Sequence, residues 1–193
     1  MASIAIVYHS GYGHTKVVAE AVHRGAGSVE GIESELLAAS EFDPPDEHRQ
    51  YHGQWDRLAR ADAIVFGTPT YMGSVSAGLK TFMEHTSPLW YRQEWKDKLA
   101  AGFTNSAGLS GDKVNTLFDL AAFAAQHSMV WVSQGLFYDD KGTNRLGAWM
   151  GLMTQADTDK GPDLAPPAQD IATAERFGAR VAEATVRWAR GQQ

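Results

Sequence analysis

The sequence predicts an α/β fold: a doubly wound, five-stranded parallel sheet with helices on both faces. Three observations carry that expectation. Short apolar runs alternate with stretches of helical periodicity along the whole chain. The runs are nearly continuous in hydrophobicity, as strands covered on both faces are. The first run passes through a glycine-bearing turn directly into a helical pattern.

Each element has its own reason. Ser3 to His9 is apolar and β-rich and stops at Ser10-Gly11, so it reads as the first strand. Val17, Val18, Ala21, Val22 and Ala26 then recur at helical spacing, which predicts a helix from His14 to Ala26. A second strand is expected over Ile32 to Leu37. Residues 38 to 53 hold Pro44, Pro45 and several charges and read as a surface loop, with a short helix at Gln54 to Arg60. Ala63 to Gly67 is a third buried strand that ends in Thr68-Pro69-Thr70.

Val75 to His85 is expected to be helical, with a polar and aromatic loop onward to Lys98. Leu99 to Thr104 is a fourth strand, Asp112 to Gln126 a helix, and Met129 to Ser133 a fifth strand. Residues 134 to 167 read as irregular, and their length marks them as a functional segment or a contact between copies. Ile171, Ala174, Phe177, Val181, Ala184 and Trp188 form the apolar stripe of a closing helix.

With 193 residues, the expectation is one domain over 1–193. A net charge of −6 without a basic cluster argues against nucleic acid as a ligand. No cysteine is present, which removes disulfides, thiolate nucleophiles and cysteine zinc sites together. Scattered histidines without metal spacing argue against a catalytic metal. Neither a signal peptide nor a membrane span is legible, so a cytoplasmic protein is expected.

Ligands of open parallel sheets sit beyond the carboxyl ends of the strands. After the first strand comes Ser10-Gly11-Tyr12-Gly13-His14-Thr15, running into a helix. Two glycines let the backbone approach a ligand, two hydroxyls add donors, and the helix N-terminus adds free N–H groups; together they suit a phosphate. A dinucleotide fingerprint would need glycine where Lys16 stands, and a Walker loop would need Gly-Lys-Ser/Thr. Pro69-Thr70-Tyr71-Met72-Gly73 and Asn105-Ser106-Ala107-Gly108-Leu109-Ser110 follow the third and fourth strands, on the same edge.

These residues resemble the flavodoxin-like NAD(P)H:quinone oxidoreductases of the WrbA type. The resemblance lies in Ser-Gly-Tyr-Gly-His-Thr, in Phe-Gly-Thr-Pro-Thr-Tyr-Met-Gly with Lys80-Thr81-Phe82 downstream, and in Leu89-Trp90 and Lys98-Leu99-Ala100. It implies sheet order 2-1-3-4-5 and bound FMN, with NADH or NADPH as hydride donor. By the same resemblance Ser10 to Thr15 hold the FMN phosphate, and Thr70, Tyr71 and Met72 lie along ribityl chain and ring. Asn105 to Ser110 border the ring, and Tyr12 and Trp90 shape the place where nicotinamide or quinone stacks. It also implies a homodimer or homotetramer.

Three departures stand out. Tyr71 replaces the family's usual arginine. Gln126-His127 replaces a histidine pair whose first member touches FMN, so Gln126 is the corresponding contact. Asn144 to Gly151 replaces the usual Gly-Ser-Pro-Tyr-Gly. No side chain is expected to act as a covalent catalyst, since the flavin carries the chemistry. The expected reaction takes hydride from NAD(P)H and delivers two electrons to a quinone-type acceptor in a ping-pong sequence. The alternatives are an electron carrier without its own NAD(P)H site, a reductase of azo or nitro compounds, and a cofactor-free interaction module.

Overall fold

The computed structural model describes residues 1–191. Thirteen elements follow in chain order: β1 (Ala2–Tyr8), α1 (His14–Gly27), β2 (Ile32–Ala38), α2 (Trp55–Arg60), β3 (Ala63–Tyr71), β4 (Ser74–Val75), α3 (Ala77–His85), α4 (Ser87–Arg92), β5 (Leu99–Ser106), α5 (Lys113–Gln126), β6 (Val130–Trp131), β7 (Leu152–Gln155) and α6 (Ala168–Arg190). The sheet runs β2-β1-β3-β5-β6, with β7 also beside β5. All of these pairs are parallel; only the small β4 hairpin on β3 is antiparallel. This is the expected 2-1-3-4-5 order of a flavodoxin-like fold, with β6 and β7 sharing the fifth place.

Alternation along the strands builds two cores. Ala5, Val7 and Phe66 point to one face and pack with Trp55, Phe82, Trp95 and Leu117 from α2, α3, the 93–98 turn and α5. Ile4, Ile6 and Val65 point to the other and pack with Val18, Val22, Phe177 and Val181 from α1 and α6. Burial on both faces explains the unbroken apolar runs in the sequence.

α1 and α6 cross with their backbones in contact. A Cβ on Gly25 would lie 1.8 Å from the Glu175 carbonyl oxygen, and one on Gly178 would lie 2.0 Å from that of Val22. Neither distance is sterically possible, so both positions require glycine. The crossing matters for function because α1 carries the glycine turn at its N-terminus.

Four expectations are corrected. The fifth strand is not Met129–Ser133: only Val130 and Trp131 pair, with Leu99 and Ala100, before the chain leaves the sheet. It returns as β7, which pairs Phe103↔Leu152 through Ser106↔Gln155. The segment 134–167 therefore contains a strand. β7 is short and half polar, which hides it from any periodicity test, and Gly151 lets the backbone return against the Gly102 carbonyl, 2.4 Å from where a Cβ would stand.

The helix expected from Val75 begins at Ala77. Ser76 caps it by accepting from Leu79 N at 3.4 Å, while Val75 pairs with Thr70. The loop expected from 86 to 98 opens with α4, a turn started by Ser87-Pro88 and ended by Gln93 in the left-handed region. Among the described residues, no helix is long and apolar enough to cross a membrane.

Candidate functional site

The carboxyl ends of β1, β3 and β5 open onto a cleft of about 700 Å³, within the range of small-molecule sites. Tyr12, His14 and Thr15 line it from the turn after β1, and Pro69, Thr70 and Tyr71 from the end of β3. Asn105, Ser106 and Ala107 close it from the end of β5.

The turn after β1 is built to present donors. Ser10 Oγ accepts from the amides of Gly13 at 3.1 Å and Lys16 at 3.2 Å, which folds the chain back on itself. Gly13 sits at φ 92°, a conformation that favours glycine. The amides of Gly11, Tyr12, His14 and Thr15 donate to no protein acceptor among the described residues. Thr15 is buried and its hydroxyl bonds no protein group among the described residues. A helix N-terminus with several free N–H groups and a hydroxyl has the chemistry of an anion cradle.

β3 and β5 supply a rigid back wall. The hydroxyl of Thr70 lies 2.8 Å from those of both Thr104 and Thr116, so three neighbouring segments share one buried hydroxyl cluster. Asn105 Oδ1 accepts from Thr154 Oγ1 at 2.9 Å, leaving its amide NH2 unbonded at the cleft wall. Thr68, Ser76 and His9 form a second chain: His9 Nδ1 is 2.8 Å from Ser76 Oγ, which is 2.9 Å from Thr68 Oγ1. Burial lowers the pKa of His9.

Tyr71 crosses the cleft mouth. A Cβ on Gly11 would lie 2.4 Å from its hydroxyl, so the tyrosine rests on bare backbone. Its ring meets Tyr12 edge to face at 6.5 Å. Burial, and then Tyr12, raise the Tyr71 pKa. Met72 and Gly73 form the tip of the β3–β4 hairpin, both at positive φ, with Met72 fully exposed beyond the cleft lining.

Gly108, Leu109 and Ser110 lie in the exposed turn beyond the cleft wall. Lys113 holds that turn: its ammonium donates to Ser106 Oγ at 2.9 Å and to the carbonyls of Gly108 at 2.5 Å and Leu109 at 3.0 Å.

Gln126 and Trp90 do not reach this cleft. They line a separate groove with Met83, Thr86, Phe123 and His127. α5 runs back from the carboxyl edge of the sheet, and its 14 residues cover about 20 Å, so its last residue stands at the opposite edge. The role that the resemblance implied for these two residues is not met within one chain.

A fourth wall was not foreseen. Ala156, Thr158, Asp159, Lys160, Gly161 and Pro162 also line the cleft. His14 Nε2 lies 2.8 Å from the Lys160 carbonyl oxygen, and a Cβ on Gly13 would lie 2.9 Å from Pro162 Cγ. Lys160 Nζ pairs with Asp157 at 2.6 Å. The length of the 134–167 segment predicts a functional segment or a contact between copies, and which of its residues reach the cleft depends on where β7 ends. Lys113 is not marked by any motif; its one local signal is that a lysine opening a helix runs against the helix dipole.

Sheet order and cleft position define the flavodoxin-like class. Residues 8–144 match the family described as NADPH-dependent FMN reductase. The chain belongs to that family of FMN-dependent oxidoreductases, and its relatives place it with the WrbA type. It is 40% identical to flavodoxin FldP of Pseudomonas aeruginosa (strain UCBPP-PA14), over 94% of this chain and 96% of that one. It is 31% identical to the NAD(P)H dehydrogenase (quinone) of Trichlorobacter lovleyi (strain ATCC BAA-1151 / DSM 17278 / SZ), over 97% and 98%. The crystal structure of a flavodoxin, WrbA-like protein from Agrobacterium tumefaciens superposes with a TM-score of 0.74 at 38% identity, covering 97% of this chain and 99% of that one.

Proposed function

We propose that the protein binds FMN in this cleft and uses it to pass two electrons from NAD(P)H to a quinone-type acceptor. The observation that carries the reading is the set of free amides at Gly11, Tyr12, His14 and Thr15, beside the unbonded Thr15 hydroxyl. Those groups suit a phosphate monoester without needing an arginine, and the cleft beside them, about 700 Å³, has the volume for a ribityl chain and a flat ring.

On this reading Ser10 to Thr15 hold the phosphate. Pro69, Thr70 and Tyr71 lie along the ribityl chain, and the free amide of Asn105 and the backbone of Ser106 and Ala107 face the ring. Met72, Gly73, Gly108, Leu109 and Ser110 form the rim around it. Bound FMN supplies two-electron acceptance and release. One hydride leaves NAD(P)H as two electrons and a proton; the same electrons, with that proton and one from solvent, complete a quinol. Tyr12 offers an exposed ring at the mouth for a flat substrate to stack on. One open mouth serves donor and acceptor in turn, which predicts ping-pong kinetics.

The whole chain forms the FMN-binding unit on this reading, since β7 returns the 134–167 segment to the sheet. Phe137 stacks on Tyr138 and meets Trp149 at a tilt, all three exposed, which supports pairing of copies as a homodimer or homotetramer. Light scattering on the purified protein reads that state directly.

A visible spectrum after FMN loading, followed by anaerobic NADH or NADPH, tests the main reading. Bound flavin that bleaches with nicotinamide, and parallel double-reciprocal lines with a quinone, are expected. A second reading, an electron carrier docking a protein partner, is favoured by the relative named flavodoxin and by the exposed rim of Tyr12, Met72 and Leu109. Bound flavin that nicotinamide does not reduce would select it.

A further inference from the structure

Lys113 is fully buried, and all three of its ammonium protons are committed to neutral acceptors: the Ser106 hydroxyl and the Gly108 and Leu109 carbonyls. It forms no salt bridge among the described residues. Asp170 acts on it favourably, yet that carboxylate is already claimed by Arg145 at 2.6 Å and by the Gln155 amide at 2.8 Å. Lys113 is also the first residue of α5, where the helix dipole is positive as well. An unneutralised cation held there works against folding, and an apolar side chain of similar length would fill the space without that penalty.

The position explains what the charge does. Ser106 lines the cleft, and Lys113 is one hydrogen bond behind it. The carboxylates at and beside the cleft are of a different kind: Asp159 lines it but is exposed and screened by water, and Asp157, next to it, is paired with Lys160. A buried charge is screened far less, and the other buried charge nearby, Asp170, is already neutralised by Arg145, so Lys113 contributes a net positive field at the β5 wall.

We propose that Lys113 is a positioning residue that raises the two-electron reduction potential of FMN bound in the cleft, by holding a fixed positive charge behind Ser106. The proposal rests on the FMN reading above. A ring that takes up two electrons and one proton gains a negative charge, and a fixed cation favours that form over the neutral oxidised one. This bias suits a site that accepts hydride from nicotinamide and works against a low-potential one-electron carrier. The depressed Lys113 pKa, pushed down to about 8 by burial, still leaves the ammonium charged at neutral pH.

The test removes the charge with and without hydrogen-bond donors. K113Q retains two donors for the same acceptors, K113M removes donors and charge, and K113R restores the charge. Thermal melts identify the neutral variant that keeps the fold, and the potential of its bound FMN is read by spectroelectrochemistry beside wild type. FMN affinity is measured separately by fluorescence quenching on the oxidised form. The expected result is about a tenfold loss of preference for reduced over oxidised FMN in K113Q and K113M, roughly 30 mV downward for a two-electron couple, with K113R close to wild type. A folded neutral variant that binds FMN at an unmoved potential overturns the proposal and leaves Lys113 a structural clamp. Wild-type protein that binds no FMN overturns the underlying reading instead.

Discussion

His14 Nε2 lies 2.8 Å from the carbonyl oxygen of Lys160, joining the turn after β1 to a segment 146 residues later. Because the acceptor is a carbonyl, Nε2 must carry a proton. The bond fastens residues 156–162 over the cleft from the same residue that opens α1. His14→Ala removes it, at a cost of about 1 kcal/mol. Faster amide hydrogen exchange over 157–162 and about fivefold weaker FMN binding are expected. Unchanged exchange in that segment would mean that Pro162 packing alone holds it.

Thr15 separates phosphate recognition from ring recognition. The residue is buried and its hydroxyl bonds no protein group among the described residues, so Thr15→Ala takes a donor from the cradle alone. A hydrogen bond to a charged group is worth about 1.5–3 kcal/mol. FMN affinity should fall about tenfold or more in titrations of the apo-protein, while riboflavin affinity stays level. An equal loss for both flavins would place the phosphate elsewhere.

The contact between α1 and α6 predicts a stability defect far from the cleft. Gly178→Ala puts a Cβ where the Val22 carbonyl stands, forcing the helices apart. Overpacking of this kind costs about 1–3 kcal/mol, and chemical denaturation would measure it. Since α1 carries the Ser10–Thr15 turn, FMN binding should weaken along with stability.

His127 sets an acid limit. It is buried beside Trp95 and Phe123, and burial lowers its pKa to about 4. Thr86 gives its own proton to the Met83 carbonyl, so it accepts from His127 Nε2, and Nδ1 stays unprotonated and unpartnered. The folded pKa lies below the unfolded one, so the unfolded chain binds the extra proton first. Stability should therefore be full above about pH 6.5 and decline toward pH 4, by up to about 3 kcal/mol. Melting curves of wild type and His127→Gln over pH 4–7 should converge as pH falls. Parallel curves would show that this histidine does not govern the acid side.

Most strands and helices were legible because their burial repeats within a few residues. Val7, Phe66 and Leu117 lie on one face and Ile4, Val65 and Val22 on the other, and each belongs to a run whose period shows locally. The glycine turn was legible too, because Gly13 needs its positive φ and Ser10 caps only three and six residues ahead. β7 was not, since its four residues gain their strand character from Phe103 to Ser106, nearly fifty positions earlier.

The sequence by itself thus determined the layered sheet and the loops at one of its edges. Only the tertiary structure decided which side chains share the cleft. It brought Lys160 and Pro162 onto Gly13 and His14, placed Lys113 behind Ser106, and carried Gln126 and Trp90 to the far end of α5. The physical reason is range. Propensity, caps and turns act over a few residues and are written into neighbouring positions. Cleft membership depends on where a returning strand docks and which way a helix runs, and those are set by packing between segments remote in sequence.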